Sequence, residues 1–170
     1  MSEVLKIQRS NRSEVLLTQR SLNEFPYYDL LDKGEKGQWR PDPPVILSRM
    51  PEGYEGRYRF HLYNGTHRFV VAGERGLDLN GLIVDTVEDI PSSETLHRQD
   101  IEGTRYVMNP NQRLEAGLRS FLALNRYDSS PIMRGPLLPM DATYDLEALL
   151  KELQKQEQER IVPYHLPTLF

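Results

Sequence analysis

Five consecutive residues, Asn64-Gly65-Thr66-His67-Arg68, gather the groups in this chain best suited to hold a negatively charged ligand. Glycine lets the backbone turn sharply and lets a guest approach the main chain closely. The spacing predicts a helix over His67–Arg75 with Thr66 as its N-cap. A helix start presents N–H groups with no intrahelical acceptor and carries a partial positive charge. His67 and Arg68 add donors at the same point, and the Thr66 hydroxyl can cap the helix or bind the anion itself. These parts make an anion site, most naturally for phosphate. The plainer alternative is a capped helix with a surface arginine.

The elements that must position this cluster are short. Val45-Ile46-Leu47 reads as an apolar strand, and Pro51-Glu52-Gly53-Tyr54-Glu55-Gly56 as a turn. Tyr58–Tyr63 alternates, with Tyr58, Phe60 and Leu62 on one face and Arg59, His61 and Tyr63 on the other, which predicts partial exposure for His61. Gly76 stands where a helix C-terminus favours positive φ, and Leu82-Ile83-Val84 follows as another apolar strand. Upstream, Val4–Ile7 and Glu14–Leu17 are β-prone runs. Residues 21–44 read as a long loop holding at most a short helix near Asp29–Lys33. Downstream, Tyr106–Met108 reads as an edge strand and residues 111–125 as an amphipathic helix. A linker is expected over 128–140 and a last helix over about 144–160, with Leu146, Leu149, Leu150 and Leu153 on one face. The fold class expected is α/β (α+β): a small mixed β-sheet with flanking helices over residues 1–90. A mainly helical extension over 91–170 is expected to pack on it.

Composition narrows the chemistry. The 170 residues suit one domain, or one domain with an appendage. The chain has no cysteine, which excludes disulfides, thiolate metal sites and cysteine nucleophiles. No apolar run approaches the ~20 residues of a membrane-spanning helix, and the start lacks the pattern of a secretory signal. A cytoplasmic protein without a membrane partner is therefore expected. The formal net charge is −4, with the acidic excess in the second half. That disfavours non-specific binding along a duplex, which depends on neutralising many phosphates, and leaves nucleic-acid contact to a local basic site. Four histidines without carboxylates at ligand spacing give no expected metal site of the zinc kind. Trp39-Arg40 and Tyr27-Tyr28 are candidates either for stacking on bases or for covering the core.

The segments Pro44–Leu47, Arg57–Tyr63, Asn64–Ala72, Gly76-Leu77 and Leu82–Asp85, in that order, resemble the core of the ParB/sulfiredoxin-like superfamily over roughly residues 40–87. That superfamily places a Gly-x-x-Arg box between a strand and a helix. The resemblance implies that Gly65-Thr66-His67-Arg68 binds nucleotide phosphates. The implied ligand is a nucleoside triphosphate, ATP or CTP, with magnesium. The implied chemistry is NTP hydrolysis, phosphoryl transfer or phosphodiester cleavage. In that reading Asn64, Gly65, Thr66, His67 and Arg68 bind the ligand, Arg68 holds a phosphate, and His67 donates a hydrogen bond or acts as general acid.

Departures from the superfamily pattern limit the transfer. Thr66 stands where sulfiredoxins carry cysteine, so sulfur-linked chemistry is excluded. Partition proteins carry Gly-Glu-Arg-Arg, and no helix-turn-helix follows the box here. Gly73-Glu74-Arg75-Gly76 imitates that box at the expected C-terminal pole of the helix, the wrong pole for phosphate. Asn64 replaces the aspartate common in the kinase and nuclease-like members, so a catalytic base or magnesium ligand must come from elsewhere. Asp32 and Glu35, in the stretch before the core strand, are the candidates, with Asp85 as a second choice. The competing class is a non-catalytic interaction or regulatory protein: a nucleotide sensor or partition-type adaptor that docks a protein partner through its C-terminal helix.

Overall fold

The computed structural model describes residues 3–19, 22–99, 102–127 and 144–165. Alternating apolar residues build a five-stranded mixed sheet from β1 (Glu3–Ile7), β2 (Val15–Leu16), β3 (Val45–Arg49), β4 (Phe60–Asn64) and β5 (Leu79–Val84), in the order β1-β5-β3-β4-β2. β3 runs parallel to β5 and antiparallel to β4, while β1 is antiparallel to β5 and β2 parallel to β4. A two-stranded antiparallel ladder, β6 (His97–Gln99) with β7 (Arg105–Val107), stands apart from it. The helices are α1 (Glu24–Glu35), α2 (Thr66–Arg75), α3 (Pro110–Tyr127) and α4 (Tyr144–His165). The fold is thus α+β. The linker expected over 128–140 lies outside the described residues.

The two-residue period of the strands sorts the core. Val45, Leu47, Leu62 and Ile83 meet Phe69 and Ala72 of α2 in one cluster. Ile46, Tyr63 and Val84 meet Ile90 in another. α1 packs on α2 through Tyr27, with Leu22, Val70 and Val71. α3 and α4 join through Leu114, Leu118, Phe121, Leu146, Leu149 and Leu153, and the same cluster takes in Leu16 and Tyr58. The leucine face of α4 is therefore used within the chain. Among the described residues, no helix is long and apolar enough to cross a membrane.

Two expectations change. The stretch 21–44 holds a twelve-residue helix, Glu24–Glu35, rather than a short one inside a loop. Pro26 signals a break, yet it falls in the first turn, where a missing N–H costs no intrahelical bond. His61 is fully buried rather than partly exposed. The sheet face it shares with Tyr63 is covered by α3, where Arg113 Nε donates to the Tyr63 carbonyl at 3.2 Å. His61 Nε2 lies 3.0 Å from Thr18 Oγ1, while its Nδ1 has no partner.

Burial, aided by the nearby Arg113 cation, pushes the His61 pKa down from 6.5 to about 3. The folded state therefore holds a neutral imidazole where the unfolded chain takes up a proton, so stability rises with pH across this window. Urea unfolding should show stability falling as pH drops below about 6.5, by ~1.4 kcal/mol per pH unit at most from this group. His61→Gln should flatten that slope. An equal slope in the variant would remove His61 as its source.

Candidate functional site

β4 ends at Asn64 and α2 begins at Thr66, so the whole reversal falls on Gly65, with φ +105° and ψ 27°. That left-handed geometry suits glycine and strains other residues. A second constraint acts at the same atom. A Cβ on Gly65 would lie 2.5 Å from Val45 Cγ1 and 2.8 Å from Val45 Cβ. What the missing side chain admits is therefore the β3 strand, not a ligand. Gly65 is the N-cap residue and Thr66 the first helical one, which corrects the expected cap. Thr66 is buried.

Asn64 braces the turn. Its Oδ1 accepts the Gly65 N–H at 2.9 Å, and its Nδ2 donates to the Glu94 carboxylate at 3.0 Å and carbonyl at 3.3 Å. The Asn64 side chain is thus engaged inside the protein rather than held out for a ligand. The first intrahelical bond runs from Phe69 N–H to the Gly65 carbonyl at 3.0 Å. The amides of Thr66, His67 and Arg68 precede it. The pole is electropositive, and among the described residues no side chain caps it.

His67 and Arg68 flank these amides. His67 Nε2 accepts the backbone N–H of Asn23 at 2.9 Å. That bond places the ring proton on Nδ1. Partial burial lowers the His67 pKa below its ordinary value, so the ring is a neutral donor at neutral pH. Arg68 lies over the Trp39 ring at 4.8 Å and donates from Nη2 to the Arg40 carbonyl at 2.9 Å. Its Nε is buried with no partner. Burial lowers the Arg68 pKa, and the carboxylates of Asp42 and Glu94 act against that. The guanidinium is therefore held in place by an aromatic face and a carbonyl, with two carboxylates in electrostatic range and, among the described residues, no ion pair closing it off.

The two expected catalytic carboxylates stand elsewhere. Asp32 pairs with Lys36 at 2.9 Å on the surface of α1, and Glu35 pairs with Arg75 at 3.1 Å. Arg75 ends α2, about 15 Å along the axis from Gly65. Asp85 pairs with Arg49 at 2.6 Å. The carboxylate that does reach the turn is Glu94, from the 3-10 turn Ser92–Glu94, and only its contact with Asn64 reveals it. No signal near residue 65 in the chain points to it. Tyr27 is buried with its hydroxyl on Glu74, and the Trp39 face is taken by Arg68, whereas Tyr28 is 58% exposed. At the far pole, Gly76 ends α2 in the left-handed region, so Gly73-Glu74-Arg75-Gly76 lies at the carbonyl end. Among the described residues, no group of three or more histidines or carboxylates is placed to hold a metal ion.

The arrangement places the Arg68 guanidinium and a neutral His67 imidazole beside the first amides of α2. No protein-family model matches the chain, and no curated protein matches it.

Gly65→Ala should lower stability by ~1–3 kcal/mol in urea unfolding, from the strained backbone and the Val45 clash together. Adding Val45→Ala removes the Cγ1 contact but keeps the Cβ one, and should not restore the loss in full, because that contact and the φ strain remain. Full restoration would show that contact with Val45 alone demands glycine.

Proposed function

We propose that the chain binds a phosphate-bearing nucleotide at the N-terminus of α2. In this reading it is a divergent ParB/sulfiredoxin-like protein working in the cytoplasm, as a chain without cysteine suits. The carrying observation is Arg68, clamped on Trp39 near the first three amides of α2, its Nε without a partner among the described residues. A phosphate there would take hydrogen bonds from the amides of residues 66–68 and from the guanidinium. His67 Nδ1–H would be a further donor.

A binding or sensing role fits better than catalysis by the carboxylates first expected. Asp32 and Glu35 lie at the other pole, and Asn64 is committed to Glu94. A magnesium ion would have to arrive with the nucleotide and find Glu94 or Asp42 as its protein neighbours. Hydrolysis, phosphoryl transfer or strand cleavage would then rest on charge stabilisation and positioning rather than on a protein base.

The chain has a single tryptophan, so Trp39 reports on Arg68 directly. Titration with ATP, CTP and ADP, with and without magnesium, should change Trp39 emission and raise the melting temperature together. Ligand at 100 times its dissociation constant adds ~2.7 kcal/mol to stability. Arg68→Ala should abolish the melting shift. Absence of any shift with every nucleotide would end this reading.

Glu94→Gln keeps a hydrogen-bond acceptor near Asn64 and removes a negative charge from the neighbourhood of Arg68. It should tighten nucleotide binding several-fold at low salt, and the gain should shrink as salt screens the site. Weaker binding in this variant would indicate that the carboxylate holds a ligand-bound cation instead.

A further inference from the structure

A groove of about 530 Å³ lies away from α2, between the turn at residues 51–56 and α4. Its lining is mainly apolar, with Pro51, Leu149 and Leu153 along the floor. Its rim is acidic: Glu52 and Glu55 come from the turn, Asp145 and Glu152 from α4. All four are exposed, and among the described residues none is in an ion pair and no lysine or arginine lines the groove. The wall is anchored rather than loose, because Tyr54 donates its hydroxyl to Asp145 across the groove at 2.9 Å.

Four carboxylates with no ion-pair partner among the described residues, around an apolar trough, make a specific demand on an occupant. Repulsion among like charges is relieved by a cationic guest, while the floor rewards an apolar one. The chain's own segments answer this poorly. Residues 166–170 hold no basic residue, and residues 128–143 hold a single arginine against two aspartates. We propose that this groove docks a basic amphipathic peptide segment of a partner protein, with leucine-sized side chains on the floor and lysine or arginine on the rim. The interaction is a helix-in-groove type with the charge pattern reversed relative to the rim.

The test uses the full chain and a fluorescently labelled peptide of leucines and lysines at helical spacing, with a leucine–glutamate peptide as counterpart. Anisotropy should show saturable binding of the lysine peptide and none of the glutamate peptide. Glu52→Lys with Glu152→Lys should weaken binding at least ~10-fold, equal to ~1.4 kcal/mol. Asp78→Lys with Glu88→Lys changes net charge equally at exposed positions outside the groove, and should leave binding within about twofold, because screening confines the effect of distant charges. Ala148→Trp fills the groove from its exposed α4 wall without altering charge, and should also weaken binding. Equal weakening by the two charge pairs, or full binding by the Ala148→Trp variant, would show bulk attraction to an acidic protein and overturn the proposal. Failure of the lysine peptide to bind at all would do the same. Circular dichroism of each variant separates lost binding from lost folding. None of these outcomes depends on nucleotide binding at α2.

Discussion

The contact between the Gly65 backbone and Val45 fixes where α2 starts, and most of the remaining architecture follows from that. A reversal completed on one residue leaves no slack between β4 and α2. The helix must leave the sheet immediately, over the face that carries Val45, Leu47 and Leu62. Its next turn then sets Phe69 and Ala72 onto that face and turns Val70 and Val71 outward toward Tyr27 of α1. A side chain at residue 65 would push the helix start off β3 and shift both contacts together. The glycine is thus needed by the fold whether or not a ligand ever meets it. Evidence for a ligand has to come from the groups around the turn instead.

Those groups are balanced in charge rather than simply basic. Arg68 brings one cation to the helix pole, and Asp42 and Glu94 offset it. The aromatic support from Trp39 keeps the guanidinium charged and oriented without neutralising it, which an ion pair would have done. Glu94 has a double part here: it holds Asn64, and therefore the turn, while contributing the negative charge that an incoming phosphate must tolerate.

The readable parts of the sequence were those fixed by neighbours in the chain. The apolar strand at Val45, the alternation through Leu62, the glycine at 65, the left-handed stop at Gly76 and the strand at Leu82 are each local signals, and each corresponds to an observed element. α1 was hidden by Pro26, since a proline three residues into a helix and one in its middle look alike in composition. His61 looked half-exposed because its cover, α3, begins some fifty residues later. Asp32 and Glu35 precede the core strand in the chain, which suggested proximity to the box. α1 instead carries them toward Arg75, at the carbonyl end of α2. Glu94 and Asp42 were invisible for the complementary reason, that only tertiary structure brings them to residue 68.

β4 connects the two candidate surfaces, and its burial decides whether they communicate. At its far end lies the Gly65 turn. At its near end the chain arrives from residues 51–56, the wall of the acidic groove. The five residues between span about 17 Å. Phe60, His61, Leu62 and Tyr63 are all buried, on both faces of the strand, and β3 and β2 bond it on either edge. A strand packed on all four sides cannot slide to report an event at one end without breaking contacts at several points. Ligands at the two proposed sites would therefore bind with little mutual coupling unless one were large enough to touch both. Since coupling between sites is reciprocal, the same packing that insulates the groove from the turn insulates the turn from the groove.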